Sequence, residues 1–160
     1  MSVAAEGLLG PHWPAVGHRV HLMVSGGPDS MALLALVGDF SKIVPRTVIV
    51  HHCHHGVAAE ADDWSIFVQS EAERKGFVFR LHYLNLDLGP EFEARARELR
   101  YEKVISEVTA NEVVLTAHHR DDQIETLLMR LSQGSGLIGL GGIPISRAFG
   151  LGVLVRPLLS

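Results

Sequence analysis

Short apolar runs alternate along the chain with longer segments of helical periodicity, and this alternation restricts the folds open to it. The strand-like runs occupy residues 18–24, 46–52, 77–83, 112–116 and 152–155, and the helical segments occupy residues 29–38, 58–75, 91–110 and 121–131. Apolar positions in the last helix recur with helical spacing, which predicts a core-facing stripe of Ile124, Leu127, Leu128 and Leu131. We therefore predict an α/β fold, a doubly wound and mostly parallel five-stranded sheet with helices on both faces.

The composition narrows the class of protein. The chain has 160 residues, 47% of them hydrophobic and 20% charged, which suits one globular α/β domain. Its apolar runs are shorter than the roughly 20 residues needed to cross a bilayer, and its start lacks the pattern of a secretory signal. The single cysteine, Cys53, excludes an internal disulfide, so we expect a cytoplasmic protein without membrane association. A net charge of -4 is not that of a dedicated RNA-binding module.

Three polar motifs directly follow predicted strands. Ser25, Gly26 and Gly27 follow the first strand, residues 51–56 follow the second, and His118 and His119 follow the fourth. Ligands of doubly wound sheets bind beyond the carboxyl ends of the strands. We expect the three motifs to converge on one site at that edge.

Residues 25–30, Ser-Gly-Gly-Pro-Asp-Ser, have the composition of an anion-binding turn. The glycines allow a tight turn that brings backbone amides close to an anion, and the following helix adds unpaired N–H groups. The alternative is a plain strand-to-helix turn capped by Asp29 or Ser30. The loop lacks the Gly-Lys-Ser/Thr ending of a Walker A motif and the Gly-x-Ser-x-Gly pattern of a nucleophile elbow.

Ser-Gly-Gly-x-Asp-Ser after a first strand resembles the signature of the PP-loop superfamily of ATP pyrophosphatases, with their adenine nucleotide alpha hydrolase-like fold. These enzymes cleave ATP between the α- and β-phosphates and pass AMP to an oxygen of their substrate. The resemblance implies that Asp29 helps to hold Mg²⁺. It also implies that pyrophosphate lies on the loop formed by Ser25, Gly26, Gly27, Pro28, Asp29 and Ser30.

A second motif, residues 116–126, carries several carboxylates at the start of the last predicted helix. Asp121, Asp122 and Glu125 are three and four residues apart, so they share one side of that helix. Carboxylates beside a phosphate loop offer metal ligands and a general base. The alternative is that they only stabilise the helix N-terminus.

This second motif closely resembles the Ala-His-His-x-Asp-Asp-Gln-x-Glu-Thr block of tRNA(Ile)-lysidine synthetases. Further blocks of that family are matched in order at residues 52–56, 93–101, 134–140 and 156–159. The resemblance implies ATP-dependent attachment of L-lysine to C2 of the wobble cytidine, position 34, in the CAU anticodon of tRNA(Ile). An adenylated cytidine is the intermediate, and AMP and pyrophosphate are released.

The resemblance also implies roles for individual residues. The catalytic residues would be Asp29, Asp122, Glu125 and Arg97, with Asp122 or Glu125 near the lysine amine. Nucleotide contacts outside the loop would come from His52, His55 and His118. Contacts to the other substrates would come from Arg97, Arg100, His119, Asp121, Gly134 and Gly136.

Four further features bear on other interpretations. Residues 134–139 fit the dinucleotide fingerprint Gly-x-Gly-x-x-Gly but follow a helix instead of a strand, so a loop that closes over substrate is favoured. The histidine-rich run 51–55 suggests zinc, but neighbours along a strand point to opposite faces and no distant cysteine pair completes a site. Arg95, Arg97 and Arg100 either form pairs with glutamates on their own helix or contact phosphate. Cys53 lies in no Cys-x-x-Cys motif, which disfavours the tRNA-thiolating PP-loop enzymes.

We expect residues 1–17 to be an N-terminal extension and residues 18–160 to be the PP-loop domain. Lysidine synthetases are longer, so we expect a truncated chain that lacks the C-terminal tRNA-binding domains. Two alternatives stay open: another PP-loop ligase or amidotransferase, and a non-catalytic nucleotide-binding domain of the universal-stress-protein type. The oligomeric state is also open, a homodimer included.

Overall fold

The computed structural model describes residues 3–54, 56, 61–84, 89, 92–132 and 142–159. Its helices are α1 (Val3–Leu9), α2 (Pro28–Ile43), α3 (Ala61–Arg74), α4 (Phe92–Ile105) and α5 (Arg120–Ser132). Its strands are β1 (Val20–Met23), β2 (Val48–His54), β3 (Val78–Tyr83), β4 (Val113–Leu115), β5 (Ser146–Phe149) and β6 (Gly152–Val155). Short 3-10 turns lie at Gly10–His12 and Pro157–Leu159.

The strands form one sheet in the order β3-β2-β1-β4-β6-β5. All neighbours are parallel except β5 and β6, which are antiparallel. The predicted doubly wound parallel sheet is therefore confirmed, with a sixth strand, β5, in addition to the five expected. The chain reverses direction across the sheet between β1 and β4, so the loops that follow these two strands flank a crevice.

Two apolar layers cover the two faces of the sheet. Leu22 of β1 and Val50 of β2 pack with α1, α2 and α3, whereas Val114 of β4 packs with Val104 of α4. Alternate residues of each strand point to opposite faces, so His21 and His51 lie on the α4 side. Helix α1 falls within residues 1–17, and its Ala5 and Leu9 are fully buried in the first layer.

Two predictions about helices are wrong. Helix α2 does not end near Gly38 but continues to Ile43, and Gly38 lies inside it. A Cβ there would come within 2.9 Å of the Lys75 side chain, so this glycine permits close packing instead of ending the helix. The stripe on α5 does not face the core, because Ile124, Leu127 and Leu128 are 56%, 38% and 60% exposed.

Among the described residues, no helix has both the length and the apolar character that a membrane crossing requires.

Candidate active site

A cavity of about 300 Å³ opens at the carboxyl ends of β1, β2 and β4, beneath α4. Its size is at the lower end of small-molecule sites. The three polar motifs converge there as the sequence predicts. The lining residues are Met23, Val24, Ser25, Gly27, Asp29, Ser30, His51, Cys53, Arg97, Arg100, Tyr101, Thr116, Ala117, His118, His119 and Asp122.

The loop after β1 is shaped by its own hydroxyl groups. Ser30 Oγ accepts the N–H of Gly26 at 3.2 Å and donates to the carbonyl of Gly27 at 2.9 Å. Ser25 Oγ accepts the N–H of Gly27 at 3.4 Å and lies 3.2 Å from Ser30 Oγ. Gly26 has a φ of +96°, and a Cβ on it would also meet the Trp64 ring at 3.0 Å. The backbone here therefore requires glycine.

Helix α2 begins with Pro28, directly after this loop. The fixed φ of proline suits the first helical position, and its missing N–H removes a donor that would be unpaired there. The N-terminus of α2 aims its positive dipole end at the cavity, next to Asp29 and Ser30. This combination of helix end, glycine turn and serines is suited to an anion such as pyrophosphate.

His119 links the second motif to the first. Its Nδ1 accepts the backbone N–H of Asp121 at 3.2 Å, while Asp122 Oδ2 accepts the N–H of His119 at 2.7 Å. These two bonds cap the start of α5. Because Nδ1 accepts, the ring proton lies on Nε2, which is 3.4 Å from Asp29 Oδ2 and 3.9 Å from Asp122 Oδ2. The turn thus holds two carboxylates and an N–H donor at one wall of the cavity.

The opposite wall is cationic. Arg97 and Arg100 project from α4, and the Arg97 guanidinium lies 5.8 Å from the centre of the Tyr101 ring. Burial acts to raise the pKa of the Tyr101 phenol, but the charge and hydrogen bond of Arg97, with the charges of Arg156 and Arg147, outweigh it and lower that pKa. A cluster of arginines around one phenol is an environment that favours negative charge.

The two histidines at the strand ends have different surroundings. Burial lowers the pKa of His118, reinforced by Arg156, so its ring is neutral; its Nδ1 lies 3.0 Å from Thr116 Oγ1. His52 is buried beneath the loop, and its Nδ1 donates to the carbonyl of Val24 at 2.7 Å. His52 therefore supports the backbone that leads into the loop, whereas His118 faces the cavity.

The sequence-based site residues do not all reach the cavity. Gly26 and His52 lie behind its wall, and Pro28, Asp121 and Glu125 are not among the lining residues. His55, Gly134 and Gly136 lie outside the described residues. Roles for all of these remain predictions.

Residues 5–160 match the family model described as PP-loop domain. The chain belongs to the PP-loop domain family. Membership implies that ATP is used, and the anion-binding loop after β1 is where this fold would receive its phosphates.

The curated relatives that this PP-loop chain matches include several tRNA(Ile)-lysidine synthases. It is 40% identical over 150 residues to a "tRNA(Ile)-lysidine synthase" of Pseudomonas fluorescens (strain Pf0-1), covering 92% of this chain and 34% of that protein. It is 39% identical to the synthase of Methylococcus capsulatus and 37% identical to that of Vibrio cholerae, covering 89% of this chain and 33% of each relative. The chain thus spans about a third of the length of these relatives.

Solved structures share the PP-loop chain's fold at low sequence identity. The U34-tRNA thiolase NcsA of Methanococcus maripaludis superposes with a TM-score of 0.71 at 17% identity, covering 97% of this chain and 57% of that one. The FMN adenylyltransferase of Candida glabrata gives a TM-score of 0.52 at 15% identity, covering 98% of this chain and 50% of that one.

Sequence reasoning missed several residues that line this PP-loop cavity. Tyr101 and Thr116 lie within quoted motifs but offered no separate chemical signal. His51 belongs to the histidine run, and the alternation of strand residues places it, with Cys53, on the opposite face from His52. That alternation was the signal that could have separated His51 and Cys53, which line the cavity, from His52, which supports the loop.

Proposed function

We propose that this chain is the ATP-using catalytic domain of an enzyme that attaches L-lysine to C2 of the wobble cytidine, position 34, in a tRNA(Ile) with a CAU anticodon. The observation that carries the proposal is the meeting of the loop 25–30, the arginines of α4 and the His119–Asp122 turn on one cavity. The relatives' shared name suggests the reaction. Since the lone cysteine forms no internal disulfide, we assign the reaction to the cytoplasm.

ATP would lie across the cavity between its two charged walls. The hydroxyl of Ser25, which lines the cavity, and the positive end of α2 would hold the pyrophosphate part. Arg97 would offset the negative charge that develops at the α-phosphate, and Arg100 would help to orient the anionic substrates. The adenosine part would extend past His118, whose neutral ring can accept or donate one hydrogen bond.

Asp29 fits a hard divalent cation, because its carboxylate lines the cavity, is 58% exposed and is not bound in a short ion pair. Oxygen ligands of this kind suit Mg²⁺, which keeps several of its waters. Bound there, Mg²⁺ would neutralise phosphate charge.

The reaction would proceed by two displacements. The C2 oxygen of the cytidine attacks the α-phosphorus, forming an O–P bond while the bond to the β-phosphate oxygen breaks and pyrophosphate leaves. The lysine ε-amine then attacks C2, forming a C–N bond while the C2–O bond breaks and AMP leaves. The amine is cationic near neutral pH and must first lose a proton. Asp122, which lines the cavity, is the leading base, and Glu125, further along α5, is the second candidate.

The test is AMP release from ATP and Mg²⁺, measured with lysine alone, CAU tRNA(Ile) alone, both together, and lysine with a tRNA that lacks the wobble cytidine. We expect AMP only when lysine and the CAU tRNA are both present. AMP formed with ammonia or another acceptor would indicate a different PP-loop ligase. ATP binding without AMP in any mixture, repeated with this domain joined to the C-terminal domains of a relative, would favour a nucleotide-binding protein without catalysis.

A further inference from the structure

Three histidines form a continuous chain across β1, β2 and β3 on the α4 side of the sheet. His21 Nδ1 lies 2.9 Å from His51 Nε2, and His51 Nδ1 lies 2.9 Å from His82 Nε2. Neighbouring rings are nearly parallel, with centroids 5.1 and 5.2 Å apart. His21 and His51 are fully buried, while the side chain of His82 is 11% exposed. None of these three histidines has a role in the proposed ligation.

A buried carboxylate fixes which ring nitrogen carries each proton. Glu112 Oε2 lies 3.1 Å from His21 Nε2, and hydrogen bonds from Arg19 and the Thr109 N–H keep Glu112 ionised. An ionised carboxylate only accepts, so His21 Nε2 donates and its Nδ1 accepts from His51 Nε2. The lone pair of His51 Nδ1 consequently points away from Glu112 and towards His82.

A third donor faces the same point. Glu107 Oε1 lies 3.8 Å from His82 Nε2, and the ligand atoms of His51, His82 and Glu107 all lie within 4.8 Å of one another. Within the part of the chain that the structure describes, this is the one such group of three. Arg80 Nε approaches the other oxygen of Glu107 at 3.7 Å, which leaves Oε1 directed at the histidines.

We propose that His51, His82 and Glu107 form a binding site for a divalent transition metal ion of the Zn²⁺ type. Two imidazoles and one carboxylate are a ligand set that zinc accepts with an open fourth position. Nitrogens on one tetrahedral zinc lie roughly 3.3 Å apart, so a small separation of His51 and His82 admits the ion. The metal takes the place of the hydrogen bond from His82 Nε2 to His51 Nδ1, and the proton of the His82 ring moves from Nε2 to Nδ1.

The surroundings also match a metal site. Glu112 and His21 orient His51 from behind, as carboxylates commonly do for metal-bound histidines. Burial lowers the pKa of His51 to about 3 and also lowers that of His82, so both rings are in the neutral form that binds metal. Glu107, 30% exposed, lies on the solvent side and gives the ion a route of entry. Arg80 and Lys103 are nearby cations that weaken the site without blocking it.

The experiment counts Zn²⁺ bound per chain after equilibration against a weak chelator, and records the visible absorption of bound Co²⁺, which reports tetrahedral coordination. It compares the unchanged chain with His82→Gln, Glu107→Gln and a control, His12→Gln, whose histidine lies in the turn Gly10–His12 outside the cluster. We expect one ion per chain, with affinity reduced at least about tenfold in His82→Gln and Glu107→Gln but unchanged in His12→Gln.

A thermal unfolding scan of each variant without metal ensures that the comparison is made on folded protein. His82 and Glu107 are both at the edge of the cluster, so their variants should fold. We also expect Zn²⁺ to raise the unfolding temperature of the unchanged chain and of His12→Gln, but not of the two ligand variants. Absence of Zn²⁺ binding, or equal binding in all four proteins, would overturn the proposal.

Discussion

His119, in the turn between β4 and α5, and the histidines inside the sheet differ in which ring nitrogens are open to a ligand. His119, at the end of β4, is 33% exposed and faces two carboxylates at 3.4 Å or more, with an open cavity between them. His21 and His51, one step inside the sheet, are fully buried and bonded at both ring nitrogens. The comparison shows that a histidine in the turn after a strand faces the cavity directly, whereas a histidine inside the sheet must give up a hydrogen bond to a neighbour before it can bind a metal ion.

Burial is the physical cause of this difference. Taking a titratable side chain out of water disfavours its charged form, which lowers the pKa of a histidine and raises that of a cysteine. Both effects occur on β2: the pKa of His51 is lowered to about 3, and that of Cys53 is raised to about 11. The cavity turn holds its charges in contact with water, whereas the buried end of the histidine chain lies next to the charge of Glu112, which Arg19 and several hydrogen bonds stabilise.

The largest expected effect is the loss of AMP release in Asp29→Asn, a variant of the cavity. The variant removes the carboxylate charge but keeps the shape, so we expect AMP release to fall by roughly 10²–10³-fold. Stability should be unchanged, because the side chain is largely exposed and makes no short ion pair. The measurement is initial AMP release in the four-mixture assay, accompanied by a thermal unfolding scan.

Asp39→Asn is the matched control for Asp29→Asn. Asp39 lies on the same helix and is exposed, but it pairs with Lys42 away from the cavity. We expect its AMP release to stay within about twofold of the unchanged chain, since exposed pairs contribute little. Retention of more than a tenth of the activity in Asp29→Asn would remove this residue from the proposed site.

In the buried histidine network, the variant Glu112→Gln should lower the stability of the fold. Glutamine keeps one acceptor but turns an N–H₂ group towards Arg19, His21 or the N–H of Thr109, all of which donate to the carboxylate. We expect the free energy of unfolding at pH 7 to fall by about 3 kcal/mol. Urea unfolding measures this, with the exposed Glu102→Gln on α4 as the control. A loss below about 1 kcal/mol would contradict the assigned network.

The pH dependence follows from the same network. The pKa of Glu112 is about 2 in the fold against 4.5 ordinarily, because hydrogen bonds to Arg19, Thr109 and His21 outweigh the opposing effect of burial. Below pH 4.5 the unfolded chain binds this proton first, so the stabilisation is complete above pH 4.5 and is lost towards pH 2. The difference in the free energy of unfolding between the unchanged chain and Glu112→Gln should therefore be constant from pH 5 to 7 and narrow only below about pH 4.5.

The fold and the cavity were largely predictable because their signals are local. Apolar runs fix the strands, and the motifs at residues 25–30 and 116–126 directly follow β1 and β4, whose carboxyl ends the parallel topology brings together. β5 was missed because Ser146, Arg147 and Ala148 lack an apolar alternation and are exposed. β5 forms because it pairs with β6, and that pairing leaves no signal in the sequence of β5 itself.

Two features depend on more than local pattern. The period of α5 predicts an apolar face correctly but does not say what covers it, and Ile124 and Leu128 are exposed in the described structure. The histidine chain depends on register: Met23 lies opposite His51, and His82 lies opposite Cys53. Strand pairing sets that register. Neither the contact among the three histidines nor their nearness to Glu107 therefore follows from the histidine positions in the sequence alone.

The smallest effect in the comparison concerns Cys53, which lines the cavity yet shares β2 with His51. With its pKa at about 11, the thiol is almost entirely protonated at pH 8, although a thiolate of higher pKa is also more nucleophilic. Together these effects predict that iodoacetamide alkylates Cys53 about 20-fold more slowly in the folded chain than in the urea-unfolded chain. Mass spectrometry measures both rates. Equal rates would mean that this part of β2 is as open to water as the His119 turn, and the burial that keeps His51 neutral would then be overstated as well.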